Sequence, residues 1–102
     1  MTREALLQRR FCENEDIVFG GITVSVTFGY YDDGRIGEVF LSTRKIGTAM
    51  DTAVRDMAVL LSIALQYGVT PGVLRRSLTT TETGAPEGLA GKIVSMIEER
   101  QP

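Results

Sequence analysis

Histidine is absent from this chain, and cysteine occurs once, at Cys12. A single thiol cannot close an intrachain disulfide, which suits a reducing, cytoplasmic setting. Without histidine, a zinc site lacks its usual ligands. Neither a Ser-His nor a Cys-His catalytic pair can be assembled. The reading is therefore of no metal, no cofactor and no enzyme, since Glu38, aspartates and lysines alone would have to carry any acid–base chemistry. Long apolar runs are also missing. No stretch approaches the ~20 residues of a membrane span, and MTREALLQRRFCENED has no apolar core of signal-peptide length. A soluble protein without membrane contact is expected. A cationic excess is lacking too: 11 basic against 13 acidic residues leave a net charge of −2, so the total does not favour a phosphate-tracking surface.

What is present is the balance of a globular domain. At 102 residues the chain is expected to form one domain over 1–102. Its 43% hydrophobic and 24% charged content argues against disorder. Residues 1–16 are polar, and their first part reads as a frayed terminus, a short helix or an edge strand. The span 17–42 reads as sheet and 47–102 as helical.

The clearest strand is ITVSVTFGYY. Ile22, Val24, Val26, Phe28 and Tyr30 alternate with Thr23, Ser25, Thr27, Gly29 and Tyr31, the period of a half-buried strand. Gly20-Gly21 before it permits a turn or bulge. Asp33-Gly34 after it signals a hairpin, with both residues expected at positive φ. The return strand is expected from Ile36 to Ser42. Thr48 or Thr43 caps a long helix in which Met50, Ala53, Val54, Met57, Leu60, Leu61, Ala64 and Leu65 recur at spacings of three and four. Ala58, Val59 and Ile63 widen its apolar surface, so it needs cover on two sides. Gly68 ends it. Thr70-Pro71 opens a short second helix, and Leu89, Ile93, Met96 and Ile97 mark a third. The fold class is α+β: a small antiparallel sheet, a β-hairpin plus a third strand, followed by two to three helices packed on one face.

Order and spacing carry a resemblance. Gly20-Gly21, Asp33-Gly34, Glu38-Val39-Phe40-Leu41, Lys45-Ile46-Gly47, Leu65 with Gly68-Val69, then Pro71, Leu74 and Pro86-x-Gly88 follow one another as in the TSCPD domain. The chain resembles that domain, which sits near the C-terminus of cobalamin-dependent (class II) ribonucleotide reductases, over about two-thirds of its length. The Thr-Ser-Cys-Pro-Asp signature is absent, because no cysteine follows Cys12. The resemblance therefore implies the fold and a binding or assembly role, and does not bring the reductase reaction with it.

Seven residues stand out as contacts for a partner or an anion: Glu38, Arg44, Lys45, Thr48, Gln66, Arg75 and Arg76. Glu38 stands in a strand, where glutamate is disfavoured. Alternation sets it on one face with Ile36 and Phe40, and if buried it needs Lys45, Arg44 or Arg55 as partner. Lys45 and Thr48 precede a helix N-terminus, an acceptable anion site, although RKIGTAMDT is no P-loop. Gln66 ends the long helix at a helix or subunit contact, and Arg75-Arg76 lie on the second helix. The uncharged Thr23, Ser25 and Thr27, together with the over-apolar helix, point to a homodimer. The leading expectation is a non-catalytic protein-binding module. A nucleotide- or nucleic-acid-binding regulator using Arg44, Lys45, Arg75 and Arg76, and a mobile-element inhibitor of a host enzyme, are the alternatives.

Overall fold

Two glycines begin the sheet. Gly20 and Gly21 have φ of 59° and 79°, as a two-residue hairpin turn of the favoured hand requires. They join β1 (Cys12–Phe19) to β2 (Ile22–Tyr30), with Phe19 opposite Ile22. The computed structural model describes residues 2–101. β3 (Ile36–Thr43) completes an antiparallel sheet of order β1-β2-β3. The sheet thus starts at Cys12, ahead of the expected Ile17. Residues 2–11 form neither helix nor strand, and Met1 lies outside the described residues.

The second hairpin departs from expectation in its turn. Only Gly34 has positive φ, 91°, and no non-glycine residue does. The Gly34 amide donates to the Tyr31 carbonyl, and the Tyr31 amide to that of Arg35. This is a three-residue connection closed by a left-handed glycine. Asp33 accepts from the Arg35 amide and its Nε, so its carboxylate belongs to the turn.

Three helices follow: α1 (Ala49–Gln66), α2 (Pro71–Ser77) and α3 (Leu89–Arg100). Thr48, not Thr43, caps α1 and accepts from the Asp51 amide. Thr70 caps α2, with Pro71 at its first position. One sheet face supplies Val24, Val26, Phe28, Ile36, Val39 and Leu41 to the core. They meet Ala58, Leu61 and Leu65 of α1 and Ile93, Val94 and Ile97 of α3. The alternation of β2 thus becomes the core as the sequence implied.

β2 is the central strand, so Thr23, Ser25 and Thr27 offer no free edge. They do not form an uncharged patch either: Thr27 donates to Asn14 and Ser25 to Asp16, both on β1. α1 closes the far edge of β3. In an antiparallel sheet alternate residues point their amide and carbonyl outward, and on β3 these include Val39 and Thr43. The Ser62 hydroxyl accepts from the Val39 amide and lies within bonding distance of its carbonyl. Asp51 accepts the Thr43 amide and hydroxyl, and Gln66 donates to the Gly37 carbonyl. Three helix side chains stand where a fourth strand would. Val59 and Leu60 of α1 remain exposed, so the second cover expected for this helix is incomplete within the chain.

Candidate functional site

Glu38 is placed by a bulge. Gly29 pairs with Glu38, yet Tyr30 pairs with Ile36, which leaves Gly37 unpaired on β3. An extra residue reverses the alternation from there on. Ile36 therefore joins the core, while Glu38 turns to the opposite face beside Phe40. The expected common face of Ile36, Glu38 and Phe40 does not form.

Two glycines make room for this. A Cβ on Gly29 would lie 2.5 Å from Glu38 Cγ, and a Cβ on Gly37 would lie 2.5 Å from the Tyr31 ring. The Glu38 side chain thus lies flat across the strand backbone at Gly29.

Glu38 is 5% exposed and its cation is Arg10, at 2.8 Å. None of Lys45, Arg44 or Arg55 fills that role. Arg44 meets Asp16 and Arg55 meets Asp51. The Glu38 hydrogen bond raises the Arg10 pKa, with burial opposing it. Arg10 Nε is buried without a hydrogen-bond partner among the described residues.

Arg10 belongs to an irregular N-terminal strap. The Glu4 amide donates to the Gln66 carbonyl, Arg3 to the Gln66 side chain, and Tyr31 Oη to the Glu4 carbonyl. Arg35 pairs with Glu4 as well as Asp33. The strap, β3 and α1 enclose a groove of about 660 Å³. Its walls include Leu6, Phe40, Leu41, Ala58, Val59 and Ile63. Arg3, Arg10 and Arg55 line it with one carboxylate, Glu38. Arg10 pairs with Glu38, Arg55 with Asp51, and Arg3 bonds the Gln66 side chain and has no carboxylate partner among the described residues. The groove is thus an apolar-walled feature with one guanidinium beyond those held in ion pairs, on a chain of net charge −2. Phe40 and Val59, 56% and 55% exposed, stand at it.

The family model for the TSCPD domain matches residues 6–99. The chain belongs to the TSCPD domain family. Among similar proteins are the "Vitamin B12-dependent ribonucleotide reductase" of Bradyrhizobium diazoefficiens, 40% identical over 67 residues, and that of Agrobacterium fabrum, 39% identical over 67. Each alignment covers 66% of this chain and 5% of the relative. The match therefore spans about one-twentieth of the length of these curated relatives. No solved structure matches.

In this TSCPD domain the seven candidate residues divide into three places. Glu38 and Gln66 line the groove together. Gln66 contacts Gly37 and Arg3 within the chain. Arg44, Lys45 and Thr48 lie at the β3–α1 junction. There the Thr48 hydroxyl accepts from Asp51 and donates to the Lys45 carbonyl. Buried Asp51 lies in the first turn of α1, and Arg55 and then the Thr43 amide hold its carboxyl below the usual range. Arg75 and Arg76 are on α2, with Arg75 paired to Glu98 of α3. None of the three principal hollows is lined by Arg44, Lys45, Thr48, Arg75 or Arg76.

Sequence reasoning missed Arg3, Arg10 and Ser62 as parts of the site, and offered Arg55 as a partner for Glu38, whereas it pairs with Asp51. Gly29 and Gly37 were the available signal, because glycine inside a strand marks a bulge or close approach. Among the described residues, no group of three His, Cys, Asp or Glu side chains could hold a metal ion. No helix among them is long and apolar enough to cross a membrane.

Proposed function

We propose that this TSCPD domain is a non-catalytic binding module that holds a partner protein in the groove between the N-terminal strap, β3 and α1. The observation that carries this reading is the groove itself: apolar walls, two exposed apolar side chains, and lining guanidinium groups of which Arg3 has no carboxylate partner among the described residues. Apolar anchors bordered by arginine are what tight protein contacts draw on. The segment that fits carries an apolar side chain next to a carboxylate. Its class of origin is suggested by the relatives: a vitamin B12-dependent ribonucleotide reductase. Nucleotide binding has less support, because Arg44 and Arg75 are committed to different elements.

Calorimetric titration of the purified domain with a purified vitamin B12-dependent ribonucleotide reductase tests this. Binding is expected, and Phe40→Ser or Val59→Ser is expected to weaken it by on the order of tenfold. No heat of binding would overturn the choice of partner. Binding untouched by either variant would overturn the groove. A concentration-dependent mass that Val59→Ser abolishes would put a second copy in the partner's place.

A further inference from the structure

We infer that the free edge of β1 is a second interaction surface, one that takes a basic, extended polypeptide segment as a fourth strand. The inference is independent of the groove.

The edge is open in a specific pattern. Phe11 accepts the Tyr30 amide, and Phe19 and Ile22 close the hairpin. Residues 13, 15 and 17 lie between them in step and direct their amides and carbonyls towards β2. Cys12, Asn14, Asp16 and Val18 then direct theirs outward. Among the described residues, no backbone hydrogen bond to another element uses these outward groups. β1 is eight residues long and mostly exposed, long enough to template another strand. The other edge of the sheet is closed by Ser62, Asp51 and Gln66, so this row is where backbone pairing remains available.

Charge selects the occupant. Glu13, Glu15 and Asp16 lie in the middle of β1. A second copy would add antiparallel about a two-fold axis that passes through one residue pair. Centred on residue 14, it sets Glu13 opposite Glu15; centred on 15, Glu15 opposite Glu15; centred on 16, Asp16 opposite Asp16. Like charges directly opposite are destabilising, so each register through the centre of the strand rejects self-pairing. Lysine or arginine at alternate positions reverses the sign of the same contacts. Internal partners reduce this bias without reversing it: Arg100 pairs with Glu15 and Arg44 with Asp16, both pairs partly exposed, and Glu13 is bonded only to the neutral Tyr30 hydroxyl.

A hollow of about 600 Å³ lies at the Cys12 end of the edge. Phe11, Tyr30 and Tyr31 line it with two carboxylates, Glu13 and Asp32, and one guanidinium, Arg100. Aromatic faces with carboxylate in excess of guanidinium suit a cationic side chain, which seats one end of the incoming segment.

Amide hydrogen exchange on the full chain tests this, with a short peptide alternating lysine and threonine as probe. Exchange at Cys12, Asn14, Asp16 and Val18 is expected to slow by ~10-fold or more, with no change at Glu13, Glu15 and Ile17. A glutamate–threonine peptide is expected to have no effect. N-methylating the alternate peptide amides that face β1 is expected to abolish the response, a control that needs no change to the protein. Glu13→Gln with Glu15→Gln is expected to weaken it, and Phe40→Ser to leave it intact, which separates this edge from the groove. No protection, protection without the alternating pattern, or an equal response to the acidic peptide would overturn the inference. Protection that rises with the concentration of the domain alone would replace the basic strand by a second copy.

Discussion

Replacing Gly29 by alanine probes the arrangement that buries Glu38. Gly29 has no positive φ, so its backbone accepts alanine. The obstacle is the side chain opposite: the new methyl carbon would lie 2.5 Å from Glu38 Cγ and 2.8 Å from Cδ. Glu38 must move, and in moving it releases Arg10. Truncating one partner of a fully buried ion pair costs about 3–5 kcal/mol. The Arg10 side chain is 26% exposed, so water recovers part of that, and about 2 kcal/mol is a fair expectation for the lost charged hydrogen bonds. The alanine itself returns about 0.4–1 kcal/mol by restricting the unfolded chain. Gly29→Ala should therefore destabilise by about 1–2 kcal/mol in the native background. In a Glu38→Ala background the clash is gone, and the same change should be neutral or stabilising. The coupling between the two sites is then about 2 kcal/mol, within the range of contacting residues. Urea unfolding of the four proteins of the cycle measures it, provided the m-values agree. An equal cost for Gly29→Ala in both backgrounds would refute the reasoning, since that cost could not come from Glu38.

Other perturbations reach separate parts of the structure. Ser62→Ala removes the helix hydroxyl that serves Val39, so it should cost about 1–2 kcal/mol in denaturant unfolding and speed exchange of the Val39 amide. Asp51 is held below the usual carboxylate range by Arg55 and then the Thr43 amide. Its contribution to stability is complete above about pH 4 and is lost as pH falls through the lower folded value. Asp51→Asn should flatten the acid limb of a stability–pH curve. Tyr30 is pushed up to about 12, by burial and then by Glu13. Its contribution is complete below the ordinary phenol value of ~10 and is lost as pH rises towards the folded value. Burial raises Tyr31 as well, so an ultraviolet titration should show late phenols, the later of which Tyr30→Phe removes.

The parts of the fold legible in the sequence are those governed by local rules. The alternation of Ile22 to Tyr30 located the core face, and Thr48, Thr70 and Pro71 located helix starts. Three things escaped because each depends on pairing or packing between elements that local periodicity does not contain. The face of Glu38 depends on a bulge at Gly37 that strand periodicity does not contain. Its partner Arg10 lies 28 positions away, in a segment with no periodicity to read. The roles of Ser62 and Gln66 depend on where α1 lies along β3, although both look like ordinary helix polars. The inversion at Glu38 was nevertheless marked, because two glycines interrupt otherwise β-favouring strands at the two places where side chains cross the backbone.

The closure of β3 by α1 also sets a stoichiometry. A sheet with two open edges can be extended at both, and each added copy recreates the site it consumed, which is how filaments grow. Here Ser62, Asp51 and Gln66 terminate one side within the chain, so extension has a single direction and a single start. Strand addition to the domain is therefore confined to β1, one added strand in direct contact with each domain. Loosening α1 would open the second edge of the sheet, so the helix limits edge-to-edge association as well as supporting the fold.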